Sequence, residues 1–261
     1  MADLAVAMEL STAAGWNQTE DDWRMLLELA PQGCFGIDAD GKLIATTTLL
    51  PYGQQLAWIG MVLTNTSYRH RGFARTLLSH ALSAADSNGI KTVKLDATDQ
   101  GQPLYASLGF KAEGPIERWS RPGSANLRVT AGKFPSDVGA AFDRVAFGAD
   151  RSAMLTRLAE RGQVDVAASA HLFARSGRNT AYLGPCVARD LPSARALITS
   201  TLQLSSSVAW SWDLLPENRS AVGLAAELGF TRQRALTRMG RGEPLRSRND
   251  MVYAIAGFEL G

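Results

Sequence analysis

Between residues 69 and 74 the order Arg69-His70-Arg71-Gly72-Phe73-Ala74 sets two guanidinium groups and an imidazole around a glycine, just ahead of a helical run. A loop that opens a helix presents unpaired backbone N–H groups and the positive end of the helix dipole, so it attracts phosphate without any special side chain. Gly72 lets an anion approach the backbone closely, and Arg69 and Arg71 add fixed charge that suits a diphosphate better than a neutral ligand. His70 sits inside the loop, where contact with phosphate or solvent is its expected role. About thirty residues downstream, the segment 101–110 reads Gly-Gln-Pro-Leu-Tyr-Ala-Ser-Leu-Gly-Phe and carries one tyrosine, Tyr105.

These residues need elements to hold them. The run 56–63, Leu-Ala-Trp-Ile-Gly-Met-Val-Leu, is short, apolar and uncharged, the pattern of a strand buried on both faces. After the basic loop, apolar residues recur at Phe73, Ala74, Leu77, Leu78, Ala81, Leu82 and Ala85 with helical spacing. Gly89 is placed to cap that helix in the left-handed conformation. Residues 91–98 then put Val93 and Leu95 on one face of a second strand. The unit is strand, phosphate loop, helix, strand, and a turn with a tyrosine.

Together the two motifs resemble the GNAT N-acetyltransferase superfamily. In its Q/R-x-x-G-x-G/A loop, which grips the pyrophosphate of acetyl-CoA, Arg69, Gly72 and Ala74 occupy the specified positions, with His70, Arg71 and Phe73 between them. The resemblance implies that the preceding strand splays from its neighbour so that Met61, Val62 and Leu63 pair with the pantetheine. It also implies that Tyr105, in the L-Y-x-x-L-G-F segment, protonates the departing CoA thiolate. Acetyl-CoA is then the co-substrate, no metal is required, and the acceptor is a primary amine of a small molecule or a protein. An alkyl amine has a pKa near ~10.4, so a base or a desolvating pocket has to help at neutral pH. No carboxylate lies in 56–63, where many relatives keep a glutamate; Asp96 is the candidate base, acting through water, with an ion-pair role beside Lys91 and Lys94 as the alternative.

At 261 residues the chain suits two modest domains. Apolar residues at 46% and charged residues at 20% are those of a globular protein. A net charge of +2 is too mild for a general nucleic-acid or membrane-surface partner. Two cysteines, Cys34 and Cys186, make neither a disulfide framework nor a zinc cluster, and His80 and His171 have no carboxylate or cysteine at ligand spacing. With no signal-peptide pattern, a cytoplasmic protein, monomeric or homodimeric, is expected.

Along the chain, helices over 4–14 and from Thr19, the latter opened by a Thr19/Asp22 capping box, precede two strands joined at Asp40-Gly41. A closing strand is expected at 116–120, and the polar, turn-rich segment 121–126 is the best linker. Beyond it the order repeats: a shift of 120 residues lays Arg69 on Arg189, Ala74-Arg75 on Ala194-Arg195 and Leu108-Gly109-Phe110 on Leu228-Gly229-Phe230. The expected fold is α/β (α+β): two tandem GNAT-like domains, 1–125 and 126–261, each a mixed, largely antiparallel central sheet flanked by helices. In the second, Pro192 stands at the Gly72 position and Ala225 at the Tyr105 position. Proline lacks the N–H and alanine the phenol, so this copy reads as degenerate; Asp190 repels a diphosphate and Ser193 can cap a helix there. The function expected is N-acetyl transfer by direct attack. The alternative is a non-catalytic acyl-CoA-binding sensor or regulatory protein.

Overall fold

A computed structural model describes residues 2–125, 127, 132–134, 138–205 and 207–261. In chain order the elements are α1 (Ala2–Ala13), α2 (Glu20–Leu29), β1 (Cys34–Ala39), β2 (Lys42–Tyr52), β3 (Leu56–Thr64), α3 (Phe73–Ser87), β4 (Thr92–Ala97), α4 (Gln102–Ser107), β5 (Lys111–Arg121), α5 (Val138–Phe147), α6 (Ser152–Arg161), β6 (Gln163–Ala167), β7 (Ala170–Arg175), β8 (Ala181–Ala188), α7 (Leu191–Leu204), β9 (Trp210–Leu214), α8 (Arg219–Glu227), β10 (Thr231–Gly242) and β11 (Val252–Ala254).

The local signals act where they stand. Thr19 caps α2: its hydroxyl accepts from the Asp22 N–H at 3.3 Å while Asp22 Oδ2 accepts from the Thr19 N–H at 2.7 Å. Asp40 and Gly41, at φ 52° and 73°, make the tight turn between β1 and β2. Gly89, at φ 66°, follows α3 and lets the Ile90 N–H reach back to the Ala85 carbonyl at 3.0 Å.

Packing divides the chain into two units. The first holds the residues up to Glu113, with Arg238–Leu245 and Leu260. Its sheet runs β1-β2-β3-β4 and is completed by the end of β10; β1, β2 and β3 are antiparallel neighbours, and β3 is parallel to β4. One face is covered by α3, whose Leu78, Ala81, Leu82 and Ala85 pack with Ile59, Val93, Leu95, Tyr105, Phe110 and Met239. Burying a leucine such as Leu78, 0% exposed, contributes about 1.5–3 kcal/mol.

The second unit holds Gly114–Thr237 with Arg246–Glu259 and Gly261. Its sheet places β6, β7 and β8 antiparallel, β9 parallel to β8, and Glu117–Arg121 of β5 antiparallel to β9. The strand expected to close the first sheet therefore lies in the second unit, and residues 238–242 stand in its place. The division by packing falls inside β5, ahead of the turn-rich segment 121–126. An unpaired strand edge accepts any backbone of suitable register, so hydropathy alone does not encode which closing strand it takes. Each unit is a mixed, mostly antiparallel sheet flanked by helices. Among the described residues no helix is long and apolar enough to cross a membrane.

Candidate active site

The phosphate loop is built by two left-handed residues. His70 at φ 62° and Gly72 at φ 86° turn the chain into α3, and Gly72 is its N-cap without any side-chain bond. The first intrahelical bond is Thr76 N–H to the Gly72 carbonyl at 3.0 Å, which leaves the N–H groups of Phe73, Ala74 and Arg75 without a helical acceptor. A Cβ on Gly72 would meet nothing within 4 Å, so open space lies against this helix end. Arg71 is steadied by a 3.2 Å bond to the Ser67 carbonyl and by stacking 5.2 Å from the Tyr68 ring centroid. Arg69 Nε donates to the Thr64 carbonyl at 3.4 Å. Among the described residues none of Arg69, His70, Arg71 or Arg75 pairs with a carboxylate. Exposed positive charge, free helical N–H groups and an unfilled cradle together fit a diphosphate.

The strand that feeds this loop opens away from its neighbour. β3 pairs with β4 at Ala57/Val93 and Trp58/Lys94, although β3 runs on to Thr64 and β4 to Ala97. Just past that point Met61 adopts φ 50°, a left-handed conformation rare for a non-glycine residue, and the β2/β3 register shifts between Thr46 and Thr48. Val62 packs against the cluster that contains Tyr105. Tyr105 sits on α4, and Gly101 makes room for it: a Cβ there would lie 2.7 Å from Tyr105 Cε2. Arg75 Nη2 donates to Ser107 Oγ at 2.9 Å, tying the first turn of α3 to the end of α4. Burial pushes the Tyr105 phenol up to about 12, and its hydroxyl has no hydrogen-bond partner among the described residues. The phenol is therefore protonated at neutral pH.

Two family models match this chain: the acetyltransferase (GNAT) family over residues 5–110 and an acetyltransferase (GNAT) domain over 140–254. The chain is a tandem member of the GNAT superfamily. It is similar to the uncharacterized N-acetyltransferase YitH of Bacillus subtilis, with 26% identity over 97% of this chain and 94% of that one. Its fold resembles that of a candidate acetyltransferase from Pyrococcus horikoshii, with a TM-score of 0.87 at 20% identity over 100% of this chain and 93% of the other. It also resembles a tandem GNAT protein of the clavulanic acid biosynthesis pathway, with a TM-score of 0.61 at 14% identity over 93% and 96% of the two chains.

In the first GNAT domain Asp96 is far from free. Arg238 Nε and Nη2 grip its two carboxylate oxygens at 2.9 and 3.0 Å, the Asp96 side chain is fully buried, and the guanidinium lies 4.7 Å from the Trp58 ring centroid. The second GNAT domain repeats the arrangement. Aligning Ala57-Trp58-Ile59-Gly60 of β3 with Ala181-Tyr182-Leu183-Gly184 of β8, and following the parallel pairing, places Asp213 where Asp96 stands. Arg118 Nε and Nη2 hold Asp213 at 2.7 and 2.5 Å, with the guanidinium 5.5 Å from the Tyr182 ring centroid.

That second GNAT domain lacks the open end. Asp190 caps α7, its carboxylate accepting from the Ser193 N–H at 2.9 Å, so the cap expected of Ser193 belongs to Asp190, and Pro192 follows in the first turn. An internal anion thus occupies the helix end. Pro185 stands at the Met61 position, and β11 enters the gap past Leu183/Trp212. Val252 and Ala254 pair with Val187 and Cys186, the Ile255 N–H donates to the Asp213 carbonyl at 2.9 Å, and Trp212 Nε1 donates to the Tyr253 carbonyl at 2.8 Å. The chain's own residues sit against the positions equivalent to Val62 and Leu63. Sequence reading overlooked β11, although its only signal was the apolar run 252–256 after a polar turn. His171, which has no carboxylate at ligand spacing in sequence, meets the distant Asp143 at 3.1 Å; His80 packs edge-on to Phe35. Among the described residues no three side chains form a metal-binding group.

Proposed function

We propose that this tandem GNAT chain is an acetyl-CoA-dependent N-acetyltransferase whose reaction is carried by the N-terminal unit. One contrast supports this most strongly: the open helix end at Gly72 and the phenol of Tyr105 occur together in one unit, and both are replaced in the other. When bound, acetyl-CoA supplies an acetyl group on a good leaving thiolate. The N–H groups of Phe73 and Ala74, with Arg69, His70 and Arg71, hold the diphosphate at the start of α3. The backbone of Met61, Val62 and Leu63, released by β4, pairs with the pantetheine, and a free N–H there faces the carbonyl oxygen that gains charge. Tyr105 delivers its proton to the thiolate.

Asp96 is neutralised by Arg238, so the acceptor amine must arrive unprotonated or lose its proton to water. The proposed acceptor is a primary amine of a small molecule or protein, reacting through its minor neutral form at neutral pH. Incubating the protein with acetyl-CoA and a panel of amines, amino acids, aminoglycosides and peptides, with thiol release and mass read together, tests the proposal. A thiol and one added acetyl group are expected for at least one class. The buried state of Asp96 favours a second reading, a non-catalytic acyl-CoA sensor, which binding without thiol release across the whole panel would establish.

A further inference from the structure

The run Thr46-Thr47-Thr48 is unusual in a strand as buried as β2, and two of its hydroxyls do the same thing. Thr46, 4% exposed, donates from Oγ1 to the Met61 carbonyl at 2.8 Å, and Thr47, 0% exposed, donates to the Gly60 carbonyl at 3.3 Å. A trans peptide is planar, with its C=O and N–H pointing in opposite directions. A hydroxyl on β2 that holds the Met61 carbonyl therefore turns the Val62 N–H away from β2, toward the side where β4 has left the ladder. Thr47 turns the Met61 N–H the same way. Asn65, which donates to the Ile44 carbonyl of β2 at 2.8 Å, marks the normal alternation two positions beyond Leu63 and agrees with that direction.

The second unit serves as an internal control. β2 pairs Thr46 with Leu63, and β7 pairs His171 with Val187, the residue aligned with Leu63. The threonines thus correspond to His171, Leu172 and Phe173. His171 is turned to Asp143, Leu172 has no hydroxyl, and the Met61 position is Pro185, which has no N–H to aim. The Asp–Arg pair on the sheet is kept in both units and follows the fold, whereas the threonine hydroxyls follow the open loop and the tyrosine.

We propose that Thr46 and Thr47 are positioning residues of the acetyl site: their hydroxyls set the Gly60–Val62 peptides so that the Val62 N–H points at the thioester carbonyl. This rests on the reading of the N-terminal unit as the acetyl-CoA site.

Amide NMR on the full chain, free and with CoA or acetyl-CoA, tests it. In the wild type the Val62 N–H resonance should move further with acetyl-CoA than with CoA. Thr46→Val should abolish that acetyl-specific difference and change the Met61 HN–Hα coupling of the free protein, while CoA affinity stays within about twofold, because the loop sets it. Thr46→Ser keeps the hydroxyl and should restore both signals. Thr47→Val makes the same comparison through the Met61 N–H if Thr46→Val fails to fold. A Val62 response in Thr46→Val and Thr47→Val equal to the wild type overturns the positioning role and leaves the cofactor reading intact. A wild type that binds neither ligand overturns the cofactor reading, and this proposal with it.

Discussion

Arg238 holds Asp96 with two parallel bonds, 2.9 and 3.0 Å long, beneath the Trp58 ring. Arg118 holds Asp213 in the same way in the unit whose loop and tyrosine are lost. A pair retained where no chemistry is supported joins a closing strand to its sheet. Asp96→Asn should leave Arg238 buried without a counter-charge and cost about 3–5 kcal/mol in urea unfolding, and Asp213→Asn should cost a similar amount. A folded, equally stable Asp96→Asn protein with lowered turnover and no ascending acidic limb in its rate profile would instead make Asp96 the base.

Tyr105→Phe should keep cofactor affinity and lower turnover by on the order of 10²–10⁴, measured where chemistry limits the rate. Burial raises the phenol to about 12, so the protonated, active form persists throughout the neutral range and is lost only as pH rises through that value. The single-turnover rate should rise with pH as the acceptor amine deprotonates, without a descending limb up to about pH 10. A descending limb near about pH 8 that vanishes in Tyr105→Phe would contradict this assignment.

Much of the candidate site could be assembled from sequence because the groups proposed for it are local. Gly72, the arginines around it and Tyr105 lie within one strand–loop–helix–strand unit, where spacing alone fixes which groups meet. The ion-pair alternative for Asp96 named the wrong cations, Lys91 and Lys94, because its partner Arg238 comes from the far end of the chain, and composition carries no record of that pairing. Thr46 and Thr47 passed as ordinary strand residues, since β-branched side chains favour sheets whatever their hydroxyls do. The Asp143–His171 contact depends on how α5 packs against β7, which short-range spacing does not encode.

Asp143 gives a pH prediction for stability. Burial pushes its carboxyl up, but the Arg151 charge and the hydrogen bonds from His171 and Arg151 outweigh this and bring it down to about 2. A carboxylate whose pKa is lowered on folding adds stability above its unfolded value near ~3.9 and loses it as pH falls through the folded value. The wild type should thus lose roughly 2 kcal/mol between about pH 4 and pH 2 through this group. Asp143→Asn should lack that component while being less stable at neutral pH. Identical acid dependence in the two proteins, by urea unfolding at each pH, would remove Asp143 from the account.

Hydrogen exchange should separate the two clefts. Acetyl-CoA should slow exchange at Val62, Phe73 and Ala74, whose N–H groups face the proposed ligand. Ile255, bonded to the Asp213 carbonyl, and Ser193, bonded to Asp190, should be protected in the free protein and unchanged by the ligand. New protection at residues 186–193 on adding acetyl-CoA would show that β11 yields its place.

The central claim is one cofactor site, in the N-terminal unit, and calorimetric titration of the full chain with acetyl-CoA tests it most directly. The wild type should bind about one equivalent. Gly72→Glu, which places a carboxylate at the open helix end, should bind none, and Pro192→Glu, at a helix end already capped by Asp190, should bind as the wild type does. Two equal sites, or one site that survives Gly72→Glu and is lost in Pro192→Glu, would contradict the claim and move the reaction to the C-terminal unit.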